Sequence, residues 1–299
     1  MTQTRTAFIA IVGCPNVGKS SILNRLLGQK IAVVSPKPQT TRTKIMGVLT
    51  ESDVQLVFTD TPGFHRPRTK LGEKMVKAVS DSISGVDACL FVVEPSGELR
   101  DAEKDLLGKF KKEKMPVILA INKIDSVKQK ELLIERMAQF SALYDFEAIV
   151  PCSALKGDGF GELKDELFKQ SQPSPHFFPD DTLTDQPERV IAAEIIREKL
   201  LNLLDDEVPH GVAVCIERMH EREDSDITDI DATVYCERES HKGIIIGKKG
   251  EMLKKVSMRA REDMERFFMC KINLHCWVKV KEGWRNREGL IRNFGLDNE

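Results

Sequence analysis

Residues 13–20 read Gly13-Cys14-Pro15-Asn16-Val17-Gly18-Lys19-Ser20, the pattern GxxxxGK[ST]. A loop of this kind wraps phosphate. Its glycines let backbone N–H groups curl around phosphate oxygens, and a following helix adds the partial positive charge of its N-terminus. In that role Lys19 reaches the β- and γ-phosphates, the Ser20 hydroxyl ligates Mg²⁺, and Ser21 continues the phosphate contacts at the helix start. A second segment, Asp60-Thr61-Pro62-Gly63, offers a carboxylate that can hold Mg²⁺ through water and a glycine N–H that can meet a γ-phosphate. Alone, that tetrapeptide is equally a turn sequence. Its position, one strand and a loop after the phosphate loop, gives it weight. A third segment, Asn122-Lys123-Ile124-Asp125, places a carboxylate where it can accept from guanine N1–H and N2–H₂. Adenine lacks both donors and would leave Asp125 desolvated and unpaired, at a cost of about 1–3 kcal/mol. Asn122 contacts the base or braces the phosphate loop, and the Lys123 stem covers a base face. Ser153-Ala154 offers a backbone N–H to guanine O6. Four segments in this order point to GTP rather than ATP.

A different chemistry lies near the C-terminus. Gly243-Ile244-Ile245-Ile246-Gly247-Lys248-Lys249-Gly250 is an apolar run leading into Gly-Lys-Lys-Gly, with a helix expected from Glu251. Glycines allow a nucleic-acid backbone to approach closely, and Lys248 and Lys249 meet its phosphates. Such a GXXG loop clamps about four nucleotides, with bases beside the apolar run. Lys242, Lys254, Lys255, Arg259 and Arg261 extend the positive face, and Glu262, Asp263 and Glu265 bound it.

These segments need elements to hold them. Apolar runs over residues 8–12, 54–59, 88–93, 117–121 and 148–150 are nearly continuous, as strands buried on both faces are. Helical patterns lie between them, for example over 101–112 and 130–143. The βαβα order predicts a doubly wound, mostly parallel α/β sheet over residues 1–170, with ligands at the carboxyl ends of its strands. Residues 171–188 contain four prolines among Ser, Asp and Thr and read as an interdomain linker, which Phe177 and Phe178 could pin to a surface. Residues 189–299 form a separate α+β domain. It begins with an amphipathic helix over 189–204, with Ile191, Ile195, Leu200 and Leu203 as candidate core positions. Strands over 212–218 and 227–237, the GXXG turn, a helix over 251–267, a strand over 271–280 and a short C-terminal helix follow, in the order α-β-β-α-β.

The 299 residues carry 45 Lys+Arg against 47 Asp+Glu, which excludes a uniformly basic nucleic-acid coat but permits a local basic face. No stretch approaches the roughly 20 apolar residues of a membrane span, and the N-terminus lacks a signal-peptide pattern, so a cytoplasmic location is expected. Seven Cys without a close CxxC pair read as reduced, mostly buried thiols rather than a metal or disulfide framework.

The first half resembles the translation-factor-related P-loop GTPases over roughly residues 5–170. That resemblance makes Lys37-Pro38-Gln39-Thr40-Thr41-Arg42-Thr43 the first switch, with Thr41 on Mg²⁺ and the γ-phosphate and Thr40 as its competitor, and residues 64–71 the second. It also exposes a departure. Where many GTPases carry a Gln that orients the attacking water, this chain has Phe64. The Asn-x-Gly-Lys of the phosphate loop looks like that of K⁺-assisted GTPases, which implies Asn16 as a K⁺ ligand and K⁺ as an activator. The catalytic set so implied is Asn16, Lys19, Thr41 and Gly63. The second half resembles a type II KH domain. A P-loop GTPase followed by one such domain resembles the Era family of bacterial ribosome-assembly GTPases, and residues 39–42, 194–200 and 277–284 strengthen the match. The family resemblance implies a GTPase that binds 16S rRNA near its 3′ end and assists 30S subunit assembly; Phe64 makes slow intrinsic turnover the expectation, and a monomer is expected. The resemblance also implies peripheral inner-membrane association; separately, switch loops ordered by GTP and Mg²⁺ are expected to alter how the two domains pack. Two other readings stay open: a GTPase of tRNA modification, and an RNA-binding module with GTP as a structural ligand only.

Overall fold

A computed structural model describes residues 3–35, 37, 40–64, 67, 69–205 and 208–296. Pro38 and Gln39 of the expected first switch, and His65, Arg66 and Arg68 of the second, lie outside the described residues. The chain divides into two compact units, the described residues within 1–34, 41–68 and 72–185, and those within 35–40, 69–71 and 186–299.

The first unit follows the order β1 (Arg5–Gly13), α1 (Lys19–Leu27), β2 (Ile45–Glu51), β3 (Val54–Asp60), α2 (Lys70–Ile83), β4 (Ala88–Val93), α3 (Asp101–Glu113), β5 (Val117–Ile121), α4 (Lys130–Ser141), β6 (Ala148–Pro151), α5 (Phe160–Lys169) and β7 (Gln172–Pro173). The sheet runs β2-β3-β1-β4-β5-β6, with β7 pairing the start of β1. All neighbours are parallel except β2 on β3 and β7 on β1. Strands β4 and β5 are buried along their whole length, as their unbroken apolar sequences require. Their core is aromatic: Phe91 meets Phe110 and Phe140 edge-on at 5.5 and 5.9 Å. Strand β2 had no sequence signal of its own, because it half-faces solvent at the sheet edge.

The proline-rich tract runs along this unit as a strap. The buried Gln55 side chain accepts from the Phe177 and Phe178 N–H groups at 2.8 and 3.0 Å and donates to the Phe178 carbonyl at 2.9 Å. Val48 N–H donates to Leu183 O at 2.9 Å, and the Phe177 ring packs edge-on against Phe8 at 5.1 Å.

The second unit contains α6 (Glu188–Leu203), β8 (Ala213–Glu221), β9 (Ile227–Cys236), α7 (Glu239–Ile246), α8 (Glu251–Phe268), β10 (Lys271–Val280) and α9 (Glu288–Asn293). The order is therefore α-β-β-α-α-β, and the expected α-β-β-α-β is corrected by one helix. Helix α7 was hidden because Gly243 and three consecutive isoleucines are poor helix formers, so the segment reads as an apolar lead into a turn. Sheet order is β10-β9-β8, with β10 parallel and β8 antiparallel to β9. Ile191 and Leu200 of α6 are buried as expected, but Ala192, Ile196 and Leu201 complete the buried stripe, while Ile195 and Leu203 pack at its margin. Trp284 is fully buried and donates its indole N–H to Gly211 O at 2.9 Å.

All seven cysteines are unbridged thiols. Among the described residues no cluster of His, Cys, Asp and Glu has a metal-site arrangement, and no helix is long and apolar enough to cross a membrane.

Candidate functional site

The phosphate loop leaves the end of β1 and enters α1 at Lys19. It is packed too tightly for added side chains: a Cβ on Gly13 would lie 2.4 Å from Val92 O. A Cβ on Gly18, where φ is 99°, would lie 2.2 Å from Asn122 Nδ2, and a Cβ on Gly63 would lie 2.6 Å from Pro15 Cα. Cys14 and Val17 are buried beneath the loop. Lys19 is buried as well, and its ammonium donates to Gly13 O at 3.2 Å and Cys14 O at 3.0 Å. Burial pulls its pKa down, and the Asp60 charge opposes that. The ammonium is thus held at the mouth of the loop by carbonyls that a phosphate can replace.

Beside it three oxygen-bearing side chains converge. Ser20 Oγ donates to Asp60 Oδ2 at 2.6 Å and lies 2.9 Å from Thr41 Oγ1, which is itself 3.5 Å from Asp60 Oδ2. Asp60 is fully buried at the end of β3, and its Oδ1 has no well-formed hydrogen bond among the described residues. Burial pushes its pKa up to about 6, against the pull of Lys19, Ser20, Thr41 and the Thr61 backbone. Two hydroxyls and a dry carboxylate with a spare oxygen make a hard donor set, and it fits Mg²⁺. Thr40 stands apart from this set. Its hydroxyl donates to Lys37 O at 2.6 Å, and its carbonyl accepts from the Arg197 guanidinium. Thr61 is tied down by a 2.8 Å bond from its hydroxyl to Ile11 O, and Pro62 is buried beside it.

Phe64 does not face the phosphates as a polar residue would. Its N–H donates to Gly13 O at 3.1 Å, while its ring is buried in the core cluster that contains Val79 and Leu106. The Lys109 ammonium lies 4.7 Å from the ring centroid.

At the base end, Asn122 leaves β5 and bridges two loops. Its Nδ2 donates to Val17 O at 2.9 Å, and its Oδ1 accepts from Ala154 N–H at 3.0 Å. Asp125, in a single 3₁₀ turn that starts at Ile124, accepts from Ser153 Oγ at 2.5 Å. Lys123 donates to Asn16 O at 2.5 Å and to Glu94 Oε1 at 2.8 Å. Glu94 also takes the Arg100 guanidinium. Burial raises the Glu94 pKa, but Lys123 and Arg100 outweigh it and hold the carboxyl below its ordinary value. Glu94 and Arg100 escaped the sequence reading. The available signal was position, since Glu94 follows β4 at the same sheet edge as the other motifs.

In the second unit α7 ends at Ile246 and the chain turns through Gly247, Lys248, Lys249 and Gly250 into α8. Gly247 has φ 73°, and a Cβ there would meet Met252 Cβ at 2.7 Å. Lys248 and Lys249 are exposed at the tip, as are Lys254 and Lys255 on the first turns of α8, whereas Lys242 on α7 is half-buried. Ile245 is buried and Ile244 is half-exposed beside the turn.

Residues 8–123 match the family of 50S ribosome-binding GTPases, and residues 207–285 match the KH domain. The chain is 48% identical to GTPase Era of Clostridioides difficile strain 630 over 295 residues, 99% of each chain. It is 49% identical to GTPase Era of Ruminiclostridium cellulolyticum over 291 residues, 97% of each. Among solved structures, Aquifex aeolicus Era bound to GDP·AlF₄⁻ superposes with a TM-score of 0.94 at 37% identity, over 98% of this chain and 99% of that one. Era in complex with MgGDPNP and nucleotides 1506–1542 of 16S ribosomal RNA superposes with a TM-score of 0.92 at 38% identity and the same coverage. With guanine-nucleotide motifs at the strand ends of its first unit and a KH domain as its second, this chain belongs to the Era family of GTP-hydrolysing enzymes.

Proposed function

We propose that this protein is a GTP-timed RNA chaperone that binds 16S rRNA near its 3′ end and assists assembly of the 30S subunit, as a monomer in the cytoplasm, with any inner-membrane association peripheral. The observation that carries this reading is the exposed Lys248–Lys249 turn between two glycines of positive φ, in a chain 38% identical to an Era captured on a 3′-terminal 16S rRNA fragment.

In this reading GTP lies across the carboxyl edge of the first sheet. Asp125 selects guanine, Ala154 N–H meets its O6, and Lys123 covers the ring. Residues 13–21 wrap the phosphates, with Lys19 on the β- and γ-groups. Ser20, Thr41 and Asp60 would hold Mg²⁺, which supplies charge neutralisation between the β- and γ-oxygens. The proximity of Thr41 to Ser20 and Asp60 supports Thr41 over Thr40 in this role. Gly63, packed against Pro15, presents its N–H to the γ-phosphate and registers its loss. With Phe64 turned into the core, no side chain at that position orients the attacking water, and turnover without a partner is slow. Asn16, at φ 64° in the phosphate loop, would hold K⁺, which adds positive charge where negative charge develops. Equal turnover in K⁺ and Na⁺ buffers would remove K⁺ from the reading.

GTP raises RNA affinity and hydrolysis lowers it. The test is binding of a 16S 3′-end RNA by protein loaded with a non-hydrolysable GTP analogue or with GDP. Equal affinities would refute the timing, because a ligand without differential affinity for two states shifts nothing. Crosslinking in cells should recover the 3′ end of 16S rRNA; recovery of tRNA instead would overturn the assignment.

A further inference from the structure

Strand β10 is an edge strand, paired on one side only. Its alternate residues Ile272, Leu274, Cys276, Val278 and Val280 face the core under α6 and α8. The others point to the open face of the three-stranded sheet. On that face Trp277 is 49% exposed, an unusual state for the residue type with the largest apolar surface. Nothing large covers it from the neighbouring strands, for its cross-strand partner is Thr233, and the next residue along is Cys215. His275 lies beside it, with ring centroids 6.1 Å apart. The remaining aromatic of this face, Tyr235, already stacks on Phe294 at 4.7 Å. Trp277 and His275 are thus rings with an open side.

The charge around them is sorted. Lys271 and Lys279 are exposed along β10, and Lys281 just after it. The acids of the same face are engaged: Asp229 with Arg222 and Asn273, Asp231 with His275, and Glu217 with the Tyr235 hydroxyl. Helix α7, which delivers the Gly247–Gly250 turn, packs against β10. Because α7 lies on the core face, a strand held at that turn reaches the open face by passing around the β10 edge. An added peptide strand fits poorly, because an edge studded with lysines is what discourages strand pairing. A polyanion with flat, stackable groups fits well.

We propose that the open face of the β8–β10 sheet is a second RNA contact outside the GXXG groove, where Trp277, flanked by His275, stacks an unpaired base of the strand clamped at Gly247–Gly250. The proposal rests on the reading of that turn as an RNA clamp. Base stacking on one aromatic side chain corresponds to roughly a five- to hundredfold change in affinity on truncation to alanine, and it tolerates any base.

The test uses the full chain loaded with a non-hydrolysable GTP analogue, and two unstructured single-stranded RNAs. One, of about five nucleotides, is long enough only for the clamp, and the other has about twelve. The chain has two tryptophans, and Trp284 is fully buried, so quenching of the exposed indole emission reports Trp277. The longer RNA is expected to quench this emission and the shorter one to leave it. W277A should weaken the longer RNA about five- to hundredfold and leave the shorter one unchanged, and W277F should restore most of the loss. Binding of the longer RNA by W277A with wild-type affinity, or without quenching in the wild type, would overturn the platform while leaving the clamp intact. If neither RNA binds the wild type, clamp and platform fall together. Equal loss of both RNAs in W277A would also overturn the proposal, since that marks a disturbed fold rather than a lost stack.

Discussion

Replacing Asp60 by Asn separates what its carboxylate does for the nucleotide from what it does to the fold. The side chain is fully buried, with one oxygen held by Ser20 and Thr41 and the other without a well-formed partner. Its folded pKa stands at about 6 against an ordinary 3.8. A raised carboxyl pKa means that the folded state binds the proton more tightly than the unfolded chain does. The resulting stabilisation is complete below about pH 3.8 and is lost as pH rises through about 6. At neutral pH in the absence of metal, the ionised group therefore weighs against folding by about 3 kcal/mol, two pKa units at about 1.4 each. Asn keeps an acceptor for Ser20 but brings an amide whose donors need partners, so the net gain expected for D60N is about 1–2 kcal/mol. The assay is denaturation of chelator-treated, nucleotide-free protein at pH 7.5 and pH 5, following the transition of the first unit. D60N should be the more stable protein at pH 7.5, the two should converge at pH 5, and D60N should lose the Mg²⁺-dependent part of its GTP affinity. A D60N protein less stable than wild type at pH 7.5, or one with unchanged Mg²⁺ dependence, would refute the assignment of Asp60 as a strained, metal-ready carboxylate.

Other outcomes follow from the same geometry. E94Q removes the charge that holds Lys123 and Arg100, and because these groups are partly exposed the effect should be about 0.5–1 kcal/mol, a two- to fivefold faster release of GDP and GTP alike. A stopped-flow measurement showing a loss confined to GTP would contradict the placement of Lys123 over the base. F64Q puts a polar side chain into the core cluster, so it should destabilise the first unit by about 3 kcal/mol or more without raising turnover, as thermal melts beside single-turnover hydrolysis would show. Replacing Lys248 and Lys249 by Glu should abolish binding of the rRNA fragment at moderate salt with little change in melting temperature, because both side chains are exposed; retained binding in a filter assay would move the RNA site elsewhere.

The sequence reveals most where one residue type is required by one chemistry. Gly18 must be glycine because Asn122 sits where a Cβ would go, and Asn122 must be there because it joins Val17 to Ala154. Such dependences fix short motifs, and these motifs are visible in a single chain. Strand runs of Val, Ile and Phe are equally visible when both faces are buried, as in β4 and β5. What stays hidden is decided by tertiary surroundings. Edge strand β2 is stabilised by its pairing with β3 rather than by its own pattern. Helix α7 forms against α8 and β10 despite Gly243 and three β-branched residues. The proline tract reads as a linker that Phe177 and Phe178 could pin, but the partners that dock it, buried Gln55 with Val48 and Phe8, lie far upstream and carry no local signal. Glu94 belongs to no motif, and only the folded chain shows that it holds Lys123.

On the function proposed above, these contacts suit the site to holding GTP more than to hydrolysing it. Asn122 binds the phosphate loop and the Ser153–Ala154 loop into one piece, Lys123 fastens to Asn16, and Gly63 closes on Pro15, so base recognition and phosphate binding share one rigid frame. A frame of that kind lowers the cost of ordering the site around the nucleotide. The position that would accelerate hydrolysis is instead spent on the core, with the Phe64 ring buried and its N–H tied to Gly13 O. Exchanging it for a polar residue costs stability before it can help chemistry. In that reading a faster reaction comes from groups brought to the phosphates by something bound. On the function proposed above, slow turnover alone and faster turnover on the RNA partner are both expected from a position given to packing rather than to catalysis.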